Sequence, residues 1–267
     1  TDVNKHLFSH IEGWEIGVDP PYTFSLLNVI QPYSDGRGIA SGDINLDGFA
    51  DLLIVSDEKL YLYYNQDGKE FTSSSLAFNN IDTSLYIANA ALVDINNDNF
   101  LDIVFTTYWH GNYILYSNKG EFYATEARKL PNPNGALLST GMSFGDVDKD
   151  GDLDILLGNF SLGGGANRTR VYETSKDLLL INEGQKWEAK ELSKMSGETL
   201  STLFTDFNND GHLDGIIGID FNYPDLFYEG NGSSNLKLLK QSDWKLENML
   251  YKTMSVATAD IDNIAYK

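Results

Sequence analysis

Apolar residues in this chain come in short runs of about four, separated by clusters of Asp, Asn and Gly, and around them polar and apolar positions alternate with a period of two. That is strand patterning, and the same order of strands returns four times. A small-and-apolar run opens each unit (38–41, 90–93, 142–145, 202–205), an acidic loop follows, and a run rich in Leu, Ile and Val comes next (52–55, 103–106, 155–158, 215–218). An aromatic, alternating stretch then turns at an Asn/Gly pair into a fourth strand, as in 60–71 and 113–123, with 178–187 and 226–232 keeping the pattern. These read as hairpins. No stretch has the period of a helix, and 244–249 is the one place where a helical turn fits.

The acidic loops set the repeat length. Asp43 to Asp51, Asp94 to Asp102, Asp146 to Asp154 and Asp206 to Asp214 share one spacing, with Asp at positions 1, 5 and 9, Asn or Asp at 3, and Gly or Asn at 6. Successive first aspartates lie 51, 52 and 60 residues apart, and a fifth loop starts 54 residues later at Asp260. Ile264 and Tyr266 then fall where ligands belong, so that copy cannot hold an ion. A unit of about 50 residues with four strands is a propeller blade. The predicted fold is therefore all-β, a β-propeller in one domain over 1–267, with blades at about 38–88, 89–140, 141–200 and 201–254. Residues 4–16 resemble the last two strands of a blade and 255–267 the first, so the partial pieces 1–37 and 255–267 would together make one more. Seven blades need roughly 370 residues. The reading adopted is an incomplete seven-bladed ring, with residues missing from the sequence in hand.

Oxygen ligands at positions 1, 3, 5 and 9, a sharp turn at 6 and a backbone carbonyl at 7 are what a hard divalent ion with six to eight oxygen ligands requires of a short loop. The predicted ion is Ca²⁺, about four per chain. Zinc would want His or Cys, and magnesium a stricter octahedron. The candidate ligands are Asp43, Asn45, Asp47, Asp51; Asp94, Asn96, Asp98, Asp102; Asp146, Asp148, Asp150, Asp154; and Asp206, Asn208, Asp210, Asp214, with the carbonyls of Phe49, Phe100, Asp152 and His212. An EF-hand would need a carboxylate at position 12, where Ile54, Phe105, Leu157 and Ile217 stand as strand residues. Asp and Asn also make turns without any ion, but four copies with one spacing favour ligation.

Composition narrows the partners. With 19 basic against 39 acidic side chains the formal charge is −20, which excludes a nucleic-acid phosphate backbone. At 42% hydrophobic and 12% aromatic the chain is too apolar for an acidic disordered tail. No run approaches the roughly 18 residues of a membrane span. The N-terminus has no basic and apolar leader pattern, so any signal peptide has been removed or never existed, and the absence of cysteine excludes disulfides and thiolate chemistry. Four bound Ca²⁺ would bring the charge from −20 to −12. Loops of modest affinity fill at extracellular calcium and not in the cytosol, which places the protein outside the cytosol or in a periplasm.

These loops, each between two strands, resemble FG-GAP (VCBS) repeats, the calcium-bearing blades of integrin-α-like propellers, over nearly the whole chain from about Gly38 to Asn263. The stretches 36–43 and 263–266 also resemble secreted proteins of the cartilage acidic protein type. The resemblance implies a calcium-binding propeller acting in cell adhesion, recognition or assembly, and no catalytic residues.

A partner would be a protein or a glycan, and the predicted face is the set of loops joining the second and third strands of each blade, opposite the ion loops. Tyr108, Trp109, His110, Phe160, Arg168, Arg170, Phe221 and Tyr223 are the candidates, because exposed aromatics with Arg serve recognition. Packing of the blade rims is the competing role for these aromatics. A carbohydrate-active enzyme on a propeller scaffold would require Arg168, Arg170, Tyr108 and His110 to converge; a structural subunit of a larger complex is the third reading. The run Gly163 to Gly165 lacks the residues of a phosphate loop, and Asn167 and Asn231 stand in glycosylation sequons.

Overall fold

The structure is a computed structural model of the chain and describes residues 9–21, 38–56, 59–76, 85–122, 126–161, 175–192, 197–220, 223–240 and 252–259. The chain is all-β and builds four four-stranded antiparallel sheets, the blades of a β-propeller. The first holds β1 (Ile39–Gly42), β2 (Asp51–Ser56), β3 (Lys59–Gln66) and β4 (Glu70–Ser75); the second β5 (Tyr86–Val93), β6 (Asp102–Tyr108), β7 (Asn112–Leu115) and β8 (Arg128–Lys129). The third holds β9 (Ser139–Gly145), β10 (Asp154–Asn159), β11 (Leu178–Glu183) and β12 (Lys186–Glu191); the fourth β13 (Thr199–Thr205), β14 (Asp214–Ile219), β15 (Leu226–Glu229) and β16 (Lys237–Leu238). Each sheet is a simple meander whose strands pair in chain order. Two hairpins close on left-handed pairs, Asp67–Gly68 and Gly184–Gln185, whose twist matches that of the strands they join.

Sequence periodicity divides the core between neighbouring blades. Along β6, Ile103 and Phe105 enter the cluster shared with Leu53, Val55 and Leu62 of the first blade, while Val104 between them enters the cluster shared with Ile155 and Leu157 of the third. On β10 the alternation repeats, with Leu156 joining Phe204 and Ile217 of the fourth blade. Second strands are thus apolar on both faces, and β6, β10 and β14 are buried at every position. First strands cross-link the blades by side chains: Asn89 Nδ2 donates to the Thr140 carbonyl (3.1 Å), Thr202 Oγ1 to that of Leu156 (3.0 Å), and the Phe204 N–H to Ser143 Oγ (2.9 Å). Residues 252–259 lie against the fourth blade through similar contacts, Val256 N–H to Ser201 Oγ (3.2 Å) and Thr253 N–H to the Ile219 carbonyl (3.1 Å).

Two expectations are corrected. Within the stretch 4–16, read as two strands, Gly13–Ile16 form a 3-10 turn, because Gly17 takes φ 82° and hands its N–H back to the Gly13 carbonyl. The outer strand of the second blade is Arg128–Lys129, beyond the stretch 113–123 read as its hairpin. Ser117 gives its N–H to Asp102, and the turn that follows closes on a single Asn118–Glu121 bridge. That turn packs on the first blade: a Cβ on Gly120 would stand 2.3 Å from the Ile44 carbonyl oxygen. The stretch 244–249 and the fifth loop from Asp260 lie outside the described residues.

At the far ends of the second strands, buried carboxylates tie the blade together. Asp177 accepts the Asn159 N–H (2.8 Å) and Asp225 that of Ile219 (2.9 Å). Burial pushes Asp177 up to about 7, despite the Asn159 bond, which favours the charge. An acid whose folded value stands above its unfolded one of about 3.9 costs no stability below that pH, an increasing amount from there to about 7, and its full cost above. Asn in its place keeps an oxygen for the Asn159 N–H. Asp177→Asn should therefore raise the melting midpoint clearly at pH 8 and much less at pH 5. Equal effects at both would show that the side chain's shape, and not its charge, decides.

Candidate metal sites

The four acidic loops fold alike, down to single hydrogen bonds. In the first, Asp43 accepts the N–H groups of Asp47 (3.0 Å) and Gly48 (2.9 Å), Asn45 Oδ1 accepts that of Asp47 (3.1 Å), and Asp47 Oδ1 that of Phe49 (2.9 Å). The second loop repeats this set through Asp94, Asn96 and Asp98, and the fourth through Asp206, Asn208 and Asp210. In the third, Asp146 and Asp150 receive the corresponding bonds. Position 4 is left-handed every time (Leu46 59°, Asn97 60°, Lys149 64°, Asn209 60°), and so is position 6 (Gly48 91°, Asn99 73°, Gly151 99°, Gly211 84°). Leu and Lys have no preference of their own for that region. The loop holds them there.

Each ninth residue begins the second strand of its blade and is fully buried: Asp51, Asp102, Asp154 and Asp214 are 0% exposed. Both its oxygens are engaged. One accepts the N–H of the loop's second residue, the other an N–H at the end of the third strand: Ile44 and Asn65 on Asp51, Ile95 and Ser117 on Asp102, Val147 and Asn182 on Asp154, Phe207 and Gly230 on Asp214, at 2.8–3.3 Å. The second residue is itself a core plug in three copies, Ile44 at 0% and Ile95 and Val147 at 1% exposed. So the ninth aspartate bolts loop, second strand and hairpin into one piece.

Burial is the first cause that pushes these carboxyls upward, to about 6 for Asp102 and about 7 for Asp154, against the backbone bonds that favour their charge; Asp51 and Asp214 move the same way. Asp148 is raised by burial and then by the charge of Asp150. A cation among them would reverse the balance. The third loop shows the fit most directly. One oxygen each of Asp146, Asp148 and Asp154 lies within 4.8 Å of the others, and Asp148 Oδ1 is buried with no hydrogen-bond partner. An orphaned carboxylate oxygen among hard oxygen donors suits Ca²⁺. Asn replaces Asp148 in the other copies and supplies a neutral oxygen.

A family model described as FG-GAP-like repeat matches residues 43–105 and 94–157. The chain carries FG-GAP-like repeats. It is also similar to cartilage acidic protein 1 of Homo sapiens, 26% identical over 218 residues, and of Mus musculus, 27% over 214; these matches cover 79% and 77% of this chain but 32% of either relative. The chain thus spans about a third of the length of the curated relatives it matches. Likeness to solved structures is looser: a lectin of Agrocybe aegerita, solved for recognition of non-reducing terminal N-acetylglucosamine, has a TM-score of 0.49 at 16% identity over 73% of this chain and 49% of its own. AofleA of Arthrobotrys oligospora follows at 0.44 and 13%, over 87% of this chain and 65% of its own.

Neighbouring FG-GAP loops also touch. Asn97 Nδ2 donates to the Gly151 carbonyl (2.9 Å) and to Asp152 Oδ1 (3.0 Å), so two bonds join the second and third loops, and Asn182 Nδ2 on β11 reaches the Ile95 carbonyl of the second (3.3 Å). Asp152, read as a carbonyl donor, also spends its side chain on the Gly184 N–H (2.8 Å). The His212 ring lies against Gly232. No described helix is long and apolar enough to cross a membrane.

Among the candidate partner residues the structure separates two groups. Tyr108 and Phe160 turn inward, 5% and 7% exposed, and pack with Leu138, while Tyr223 is half-buried against the core of the last two blades. Trp109 stands out at 55% exposed, with His110 half-buried beside it. Arg168, Arg170 and Phe221 lie outside the described residues. Lys129, missed in the sequence, sits over the Tyr113 ring at 5.8 Å and next to His110 in space. Its only sequence signal is a pair of cations, Arg128 and Lys129, in a chain that has few.

Proposed function

We propose that this chain is a calcium-stabilised FG-GAP propeller that works outside the cytosol as a recognition module for a protein or glycan partner and not as an enzyme. The observation that carries the reading is the fourfold copy of one loop geometry with a buried ninth aspartate, together with the third copy's oxygens of Asp146, Asp148 and Asp154 lying within 4.8 Å of one another. Fourteen carboxylates crowded into four loops repel one another unless cations sit between them. Sites built rigidly on a sheet suit the weak, extracellular class of calcium module. The exposed Trp109 supports the loop between second and third strands of the second blade as part of the recognition face.

Equilibrium dialysis of the metal-stripped chain against millimolar ⁴⁵Ca²⁺, with a tenfold excess of Mg²⁺ as competitor, tests the ion assignment. About four bound ions per chain, retained against magnesium, is the expected result. Binding of less than one would remove the calcium reading and leave the aspartates as turn formers.

A further inference from the structure

The second blade carries a cleft at the opposite end of β6 from its ion loop. It has a volume of about 570 Å³, and its walls are the turn Trp109–Gly111 and the segment from Lys129 to Ala136. That volume is in the range of small-ligand sites. Backbone bonds clamp the two walls together at both ends: the Trp109 N–H donates to the Leu137 carbonyl (2.6 Å) and the Leu130 N–H to that of Asn112 (2.8 Å). Asn132 closes the far wall as a tight turn, its amide donating to the Ala136 carbonyl (2.9 Å) and accepting the Ala136 N–H (3.0 Å). The cleft is therefore formed before any ligand arrives.

Its chemistry is selective. Trp109 holds φ 66°, a strained conformation for an aromatic residue, and its ring is propped by Tyr86 (5.6 Å, edge-on) and Tyr108 (5.6 Å, tilted). An indole kept in water in this way is a stacking platform. Gly111 leaves the room in which Lys129 lies, since a Cβ there would stand 3.0 Å from Lys129 Cε. Tyr113 fixes the other side, its ring under the Lys129 ammonium and its hydroxyl donating to the His110 carbonyl (3.1 Å). Among the described residues no acidic one lines the cleft, although the chain carries 39 of them. A ligand with a cationic group would meet Lys129 with like charge, and a purely apolar one would leave Lys129 and His110 without a role. At physiological salt the screening length is about 8 Å, so these local groups outweigh the distant negative charge.

We propose that this cleft binds a pyranose bearing a carboxylate, its apolar face on the Trp109 indole and its carboxylate on the Lys129 ammonium. The assignment rests on the recognition reading above and names its ligand class. The test is calorimetric titration of the full chain, in millimolar calcium, with methyl glucuronide and with methyl glucoside as the neutral control. The glucuronide is expected to bind about tenfold more tightly than the glucoside, the difference that one charge-assisted contact makes. Lys129→Met should bring the two sugars to within about twofold of each other, and Trp109→Ala should remove both. Both side chains are exposed and far from the ion loops, so calcium stoichiometry and melting midpoint should be unchanged; Trp109→Phe, with intermediate affinity, replaces the alanine variant if that one fails to fold. A wild-type chain that binds neither sugar, a preference that survives Lys129→Met, or binding untouched by Trp109→Ala would each overturn the proposal. Any of these, with calcium binding intact, would leave the calcium propeller standing and remove only the cleft.

Discussion

Saturating the metal-stripped chain with calcium is expected to raise its thermal midpoint by about 20 °C or more. A ligand that binds only the folded state adds RT ln(1 + [L]/Kd), or about 2.7 kcal/mol at a hundredfold excess over Kd. Four loops with Kd of about 0.1 mM, in 10 mM calcium, would together add about 11 kcal/mol. In a chain of this size each kcal/mol moves the midpoint by about 2–4 °C. Magnesium at the same concentration should give much less, because its small octahedral shell does not match five protein oxygens in one loop. Calorimetric scans in calcium, magnesium and EDTA would read the effect directly. A midpoint that ignores calcium would mean that the turns stand on their own hydrogen bonds.

Replacing Asp154 by alanine is expected to cost about 2–6 kcal/mol even in EDTA. This side chain is fully buried, and its removal strands two backbone donors, Val147 N–H and Asn182 N–H, that it accepts at 2.9 Å. Each buried donor left unpaired costs about 1–3 kcal/mol, before any lost metal is counted. Asp150→Ala is the contrast. Its side-chain bond goes to the exposed Asp152 N–H, so its loss should be small in EDTA and appear only when calcium is present. Asp154→Asn should fall between: it relieves a carboxylate that burial drives up to about 7, but turns an amide nitrogen toward one of the two donors. Denaturant unfolding of the three variants with and without calcium would separate the roles. Equal losses for Asp150→Ala and Asp154→Ala in EDTA would refute the distinction between ligand and bolt.

The repeat was legible because ligand spacing and strand period reinforce each other: Asp43, Asp94, Asp146 and Asp206 announce the loop, and Ile54, Phe105, Leu157 and Ile217 at position 12 rule out the helical alternative. What the ninth aspartate does besides ligation was not legible. Its partners at Asn65, Ser117, Asn182 and Gly230 are backbone N–H groups, which every sequence has, and only the register of the hairpin brings them opposite. Local alternation likewise cannot separate an aromatic that faces solvent from one that faces a neighbouring blade; Trp109 and Tyr108 are adjacent in sequence and opposite in fate. The outer strand of the second blade is a further case: Arg128 and Lys129 pair with Ile114 and Tyr113 from well beyond the Asn118–Gly120 turn, and no local turn signal announces that return.

The two bridges between the second and third loops make occupancy a shared property. An ion seated among Asp146, Asp148 and Asp154 would stiffen the Gly151 carbonyl and the Asp152 carboxylate, and these are the groups that accept the Asn97 side-chain amide. Part of the ordering cost of the second loop is then met before its own ion arrives. Filling of the proposed sites would then be cooperative, running from the loop with five carboxylates to its neighbour with three. With calcium bound as proposed, these two blades would answer a rise in the ion as one tightening and not as two independent events.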